Sequence, residues 1–151
     1  MASVSAEIRR LLRSKDARIA DGEQALRGLL VEVKRQIVTE LQTVDSAYAG
    51  LKLRQQLASI ERYLAGFKTA GASKMDELLD AAWSAGSDLA PAAMRVGGLH
   101  VGFFHLPGPV LETMKDYAYH KISGLAEDAF TKIRGELSLG ILGQKTPHEV
   151  V

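Results

Sequence analysis

The chain has 151 residues, of which 46% are hydrophobic and 25% are charged, and its formal net charge is +1. This composition excludes a globally disordered chain, and a domain whose main task is to grip duplex DNA is usually far more basic. The absence of cysteine excludes disulfides, thiolate nucleophiles and cysteine-ligated metal centres, and no apolar run approaches the roughly 20 residues that cross a bilayer.

The first predicted element is an amphipathic helix that Ser5 can cap. Its narrow apolar stripe consists of Ile8, Leu11, Leu12 and Ile19. The same helix carries five basic residues, which are Arg9, Arg10, Arg13, Lys15 and Arg18. Such a cluster predicts contact with DNA phosphates or with an acidic partner surface. A solvated helix face and a weak membrane-surface helix are the alternatives.

A longer helical region follows, for which Asp21 and Gln24 offer a second helix start. Its apolar residues step by three and four, at Leu26, Leu30, Val33, Ile37, Leu41, Val44, Tyr48 and Leu51. This spacing is close to the repeat of about 3.5 residues in helices that wind around one another. Gly50 is predicted to break or bend this helix, after which the stripe resumes as far as Phe67. Residues 1–72 are therefore predicted as a long N-terminal helical region able to form a coiled-coil hairpin.

Residues 73–151 are predicted as a C-terminal helical cluster that begins after a tight turn at 69–73. Its first helix carries Trp83, the only tryptophan, which we expect in the core. Small residues interleave with the apolar stripe of this helix and predict close helix packing; they are Ala81, Ala82, Ala85 and Gly86. Pro91 either kinks the helix or begins a short new one, and two glycines at 97–98 end it.

An extended connector is predicted at residues 99–106, followed by a short helix near Val110 and a longer one from Ile122. In the connector, Phe103 and Phe104 point to opposite sides, so at least one of them can face a neighbouring subunit. The predicted fold class is all-α. We expect an elongated helical hairpin or bundle of about five or six helices with this one extended connector.

The end of the sequence holds a helix stop and the start of a further helix. Gly143 supplies a left-handed stop, and Thr146, Pro147 and Glu149 form a capped restart. A helix that begins at Pro147 has only five residues before Val151, too few to sustain a helix in water. We therefore expect either that a partner holds this end or that a further domain follows.

The last half of the chain has a distinctive succession of elements: the Trp83 helix, a loop into Pro109, and a final motif. That motif reads Ile122-x-Gly124-Leu125, Ile133-Arg134, Leu137, Gly140, Gly143-x-x-x-Pro147-x-Glu149-Val150. In this succession the chain resembles phage minor head proteins of the head morphogenesis family, such as those of phages Mu and SPP1. The resemblance implies a structural protein of a tailed phage or prophage, located in the head interior near the portal. It implies a role in head morphogenesis or genome packaging, with portal or capsid proteins as partners and packaged DNA as a further contact.

Enzymatic chemistry has no support in the sequence. No nucleophile elbow, phosphate-binding loop or dinucleotide fingerprint is present, so we expect no catalytic residue and no cofactor. The four histidines, His100, His105, His120 and His148, lack the spacing of metal ligands, and we expect them on the surface or in loops. The charged N-terminus has no signal-peptide core, so we expect synthesis in the cytoplasm. The alternative function is a helical DNA-binding module that contacts packaged DNA through its basic first helix, and the coiled-coil spacing fits a homo-oligomer as well as an internal hairpin.

Overall fold

The computed structural model of the protein describes residues 4–43, 49–96 and 107–141. Within these ranges 98% of the residues are helical and none lies in a strand, which confirms the predicted all-α class. There are three helices in the described chain: α1 spans Val4–Gln42, α2 spans Ala49–Val96 and α3 spans Gly108–Ile141. They contain 39, 48 and 34 residues, so each is several times longer than the usual globular helix.

The prediction of five or six helices is wrong, because helices expected to end at small residues continue through them. The helix start predicted at Asp21 does not exist, since α1 runs unbroken from Val4 to Gln42. Gly22 in that stretch is buried, and a Cβ there would lie 2.9 Å from Cγ of Leu78. The absence of a side chain at this position therefore serves helix packing rather than a turn.

The tight turn predicted at residues 69–73 is also absent, because α2 continues through it. The Thr69 hydroxyl donates a hydrogen bond to the Ala65 carbonyl at 3.1 Å, which satisfies its polar side chain within the helix. Gly71 is buried, and a Cβ there would lie 3.3 Å from Cγ2 of Ile122 on α3. As at Gly22, the small residue admits a neighbouring helix.

The remaining predicted boundaries are partly correct. Gly50 lies inside α2, which begins at Ala49, so the break predicted there is wrong; α1 ends at Gln42. Pro91 lies inside α2, which ends at Val96 just before the predicted glycine stop. The short helix near Val110 and the longer helix from Ile122 are one continuous helix, α3. The predicted connector with Phe103 and Phe104, and the predicted stop and restart after Ile141, lie outside the described residues.

The chain forms two compact units, each built from segments that are distant in sequence. Unit 1 comprises Met1–Leu26 and Ser73–Tyr119, and unit 2 comprises Arg27–Ala72 and His120–Val151. Each of the three helices begins in one unit and ends in the other. The predicted division into residues 1–72 and 73–151 stays a prediction.

Unit 2 contains the buried apolar core of the described chain. Its members come from all three helices and are Val33, Leu41, Ile60, Leu64, Phe67, Ile122, Ala126 and Leu137. Ile60 is completely buried, and the alternating spacing of three and four residues along α1 and α2 explains why one stripe of each helix faces inward. The apolar stripes predicted from Leu26 to Phe67 therefore supply much of this core.

Polar side chains of unit 2 close the C-terminal end of α1. The Glu40 carbonyl accepts hydrogen bonds from Thr43 Oγ1 at 2.7 Å and from Gln56 Nε2 at 2.8 Å. The Glu40 carboxylate accepts a further bond from the Tyr63 hydroxyl at 3.2 Å. The first two bonds, together with the backbone N–H of Thr43 at 3.3 Å, satisfy one of the carbonyls in the last turn of the helix.

Unit 1 is held by apolar contact and by ion pairs between α2 and α3. Lys115 Nζ lies 2.7 Å from Asp80 Oδ1, and this hydrogen bond is the main reason that the pKa of Lys115 is raised. Trp83, which we expected in the core, is half-buried.

Candidate functional site

The five predicted basic contact residues lie on α1 in unit 1, and all of them are exposed. The structure does not unite them in one site. At about 3.6 residues per turn, the side of α1 that carries Arg9, Arg10 and Arg13 lies roughly opposite the side that carries Lys15 and Ile19. The cluster predicted from sequence is therefore two separate surfaces.

The first surface is a shallow groove of about 330 Å³ lined by Ala6, Arg9, Arg10 and Arg13. Three guanidinium groups, spaced three and four residues apart on one helix face, can each present several N–H donors to phosphate or carboxylate oxygens. Ala6 is its one apolar residue among those that line it, and the three guanidinium groups make this an anion-binding face.

The second surface, which we call the unit 1 groove, lies between α1 and α2 and has a volume of about 390 Å³. Lys15 and Arg18 lie at one end of its α1 side, and Glu23 lies further along. Its floor is apolar and includes Ile19, Leu26, Leu78, Ala81, Ala82 and Ala85. Ile19 remains 51% exposed, so this groove presents uncovered apolar surface beside two cations.

Small residues of α2 were expected to permit close helix packing; of these, Ala82 and Gly86 are exposed, whereas Ala81 and Ala85 are half-buried. Ala81, Ala82 and Ala85 line the unit 1 groove, with Ala82 exposed. A Cβ added at Gly86 would meet nothing within 4 Å. Among the described residues, close packing is therefore absent at Gly86, and at the three alanines it stays a prediction.

The third surface, the unit 2 groove, lies above the buried core and has a volume of about 420 Å³. Its lining combines α1, α2 and α3 and includes Leu30, Val33, Ile37, Phe67, Leu125 and Ile133. Leu30 is 42% exposed and Leu125 is 50% exposed, whereas Val33 and Phe67 beneath them are buried. The only charged residue among those lining it is Lys34.

Ion pairs outside the grooves occur both within one helix and between helices, and each has at least one exposed member. Arg35 Nε donates a hydrogen bond to Glu32 Oε2 at 2.9 Å, and the hydrogen bonding between these two side chains lowers the pKa of Glu32 and raises that of Arg35. In unit 2, Lys68 Nζ lies 3.8 Å from Glu127 Oε1. Such exposed pairs contribute little to stability and do not form a catalytic centre.

Residues 4–43, 49–96 and 107–141 contain no group of three or more His, Asp or Glu side chains that could bind a metal ion. His120 is exposed on α3, and the other three histidines lie outside the described residues. None of the three described helices is long and apolar enough to cross a membrane.

Comparisons with family models, with curated proteins and with solved structures find no match to this chain. The site is therefore defined by its own geometry. Sequence reasoning identified the basic residues but not the two apolar grooves. The signal for the grooves was present in the apolar stripes, since Leu30 and Leu125 belong to them, but periodicity does not distinguish the residues that are covered from those at the rim.

Proposed function

We propose that this chain is a structural, protein-binding component of an assembly: a minor head protein of a tailed phage or prophage that associates with portal or capsid proteins. The observation that carries the protein-binding role is the open unit 2 groove, with exposed Leu30 and Leu125 at its rim. The resemblance of the chain's last half to head morphogenesis proteins supports the phage identity, a place in the virion head near the portal, and synthesis in the bacterial cytoplasm.

The chemistry of the unit 2 groove favours a protein partner over a small charged substrate. Its floor is apolar and it is lined by three helices, which is the geometry in which an amphipathic helix lays its apolar face. Covering two half-exposed leucines removes apolar surface from water, and each side chain contributes on the order of 1 kcal/mol when it becomes fully buried. A groove of this kind fits the contact surface of an assembly protein.

The direct test is association with the portal and capsid proteins encoded in the same genome. The purified chain is mixed with assembled heads and with isolated portal, and binding is measured by co-sedimentation and by cryo-electron microscopy of the particles. We expect co-sedimentation and added density at or near the portal. A chain that binds neither component contradicts the phage assignment.

A matched pair of variants tests the groove itself. Leu30 and Val31 are adjacent on α1 and both exposed, but only Leu30 lines the unit 2 groove. We expect Leu30→Asp to weaken the association by about tenfold or more, as for a central contact residue, while Val31→Asp leaves it unchanged. Equal effects of the two substitutions, with helicity retained in both, contradict the role of the groove.

The second candidate function is a helical module that contacts packaged DNA. The groove lined by Arg9, Arg10 and Arg13 favours it, because three guanidinium groups share one exposed face. Neutralising about four phosphates of duplex DNA predicts a slope near −3.6 in a plot of log affinity against log salt concentration. A slope near zero contradicts the DNA function, and the triple variant with Ala at the three arginines tests whether this face is responsible.

A further inference from the structure

The unit 1 groove combines an uncovered apolar floor with positive charge at one end. Ile19 is half-exposed and Ala82 is exposed, and both line the groove. Lys15 and Arg18 lie on its rim, one turn of α1 apart. From Lys15 to Leu26 the α1 side of the groove extends over about 17 Å, the length of roughly three helical turns.

From this combination we infer that the unit 1 groove binds an acidic amphipathic helix of a partner protein. The apolar face of that helix packs onto Ile19 and onto Ala81, Ala82 and Ala85 of α2, which we call the alanine shelf. Its carboxylates pair with Lys15 and Arg18. The inference rests on the proposed protein-binding role and adds the chemistry of the partner.

The alanine shelf determines the shape of the occupant. Ala81, Ala82 and Ala85, together with Leu78, follow the spacing i, i+3, i+4, i+7 and therefore form one face of α2. Because alanine side chains are short, a second helix can approach this face closely and place larger side chains against it. An extended polar chain has no comparable surface to bury there.

The charged residues at the rim of the groove favour a partner of negative charge. Lys15 and Arg18 lie together at one end of the groove and Glu23, its one acidic lining residue, lies further along α1, so the potential at the Lys15 end favours carboxylates. DNA also offers negative charge, but its phosphodiester backbone leaves the apolar floor uncovered. Charge and floor together therefore favour an acidic helix, whereas the groove at Arg9 and Arg13 has only Ala6 as an apolar lining residue.

The test uses the full chain and three fluorescent probes. Two are designed 20-residue helical peptides with the same leucine stripe, one flanked by Glu and the other by Lys, and the third is a 20-base-pair DNA duplex. Binding is measured by anisotropy at physiological salt. We expect the acidic peptide to bind at least about tenfold more tightly than the basic peptide, since charge pairs of the right sign replace repulsion.

Charge reversal makes the test specific. In K15E/R18E we expect the preference to invert, with the basic peptide now bound more tightly than the acidic one. R9E/R13E carries the same change of charge on the opposite side of α1 and should retain the acidic peptide within about twofold. Equal effects of the two double variants overturn the inference, because the contact would then depend on net charge alone.

A second pair of variants tests the apolar floor. Ala82 and Ser84 are both exposed on α2, but only Ala82 lines the groove. We expect Ala82→Asp to weaken binding of the acidic peptide by about tenfold and Ser84→Asp to leave it within about twofold. Competition between the DNA duplex and the acidic peptide that K15E/R18E abolishes identifies nucleic acid as the occupant and overturns the inference.

The remaining outcomes separate this inference from the proposed function. A concentration-dependent dimer that K15E/R18E disrupts identifies a second copy of the chain as the occupant and overturns it. If neither peptide binds while co-sedimentation with portal or heads persists, the inference fails and the proposed function stands. If the acidic peptide binds with the expected variant pattern but no head component associates, the phage role fails and the groove chemistry stands.

Discussion

Glycines on the helices of this protein differ in what surrounds them. Gly22 and Gly71 are buried at helix contacts, where an added Cβ would meet Leu78 and Ile122 respectively. Gly28 is exposed, and an added Cβ there would meet nothing within 4 Å. Glycine inside a helix destabilises it by roughly 0.5–1 kcal/mol relative to alanine. At Gly22 and Gly71 close helix packing offsets this cost. At Gly28 the structure shows no contact that would offset it.

A matched pair on α1 tests this distinction. We expect Gly28→Ala to raise the free energy of unfolding by roughly 0.5–1 kcal/mol. Gly22→Ala should lower it by about 1 kcal/mol or more, because Leu78 or the helix that carries it must move. Chemical denaturation followed by circular dichroism measures both values. Two variants that are stabilised alike would show that the contact at Gly22 relaxes freely.

The ion pair of Lys115 with Asp80 predicts a pH-dependent contribution to stability. Because this pair raises the pKa of Lys115, its contribution is fully present below the ordinary lysine pKa of about 10.4 and is lost as pH rises through the raised value. We expect Lys115→Met to lower Tm at pH 7, with the difference from the wild type shrinking between about pH 10 and 11.5. Arg35→Met, which removes an exposed pair within α1, is the control. A difference in Tm at pH 7 that persists unchanged at pH 11.5 contradicts the prediction.

At the scale of elements, the sequence predicts the presence of helices far better than the residues at which they begin and end. The apolar stripes identify all three helices, since spacing of three and four residues is typical of one buried face. The turn predicted at residues 69–73 fails because small residues have two uses, and only the position of Ile122 on a distant segment reveals which one applies at Gly71. The grooves escape prediction for the same reason: a stripe residue such as Leu30 is covered or exposed according to its neighbours on other helices.

Pro91 is the residue inside α2 that helix geometry disfavours most. Proline has no N–H, so the carbonyl of Ser87 one turn earlier cannot receive its usual helical hydrogen bond. We expect Pro91→Ala to stabilise the end of α2 by about 1–3 kcal/mol, measured as slower amide hydrogen exchange between Ser87 and Val96. Ser84→Ala in the same helix is the control and should change exchange by less than about 0.5 kcal/mol. Unchanged exchange in the Pro91 variant would mean that this turn is held by other contacts.

At the scale of the whole molecule, each compact unit takes residues from both halves of the chain. Unit 1 joins Met1–Leu26 to Ser73–Tyr119, and unit 2 joins Arg27–Ala72 to His120–Val151. Neither residues 1–72 nor residues 73–151 therefore contain a complete unit. The division predicted from sequence followed the tight turn expected at residues 69–73, whereas the units follow contacts between segments that are distant in the chain.

Fragments provide the corresponding experiment. We expect residues 1–72 and residues 73–151, each expressed alone, to be poorly helical and to unfold without cooperativity, because isolated helices owe most of their stability to tertiary packing. Mixing the two should restore helicity and a cooperative thermal transition, observed by circular dichroism and calorimetry. Two fragments that fold independently would instead support the division at residue 72.

The two buried glycines also constrain how this sequence can diverge. A change at Gly22 has to be matched by a smaller residue at position 78, and a change at Gly71 by an adjustment at position 122. The exposed glycines at positions 28, 66 and 135 carry no such coupling. In distant relatives we therefore expect positions 22 and 78 to change together, and likewise positions 71 and 122. These helix contacts should be retained even where overall sequence identity is low.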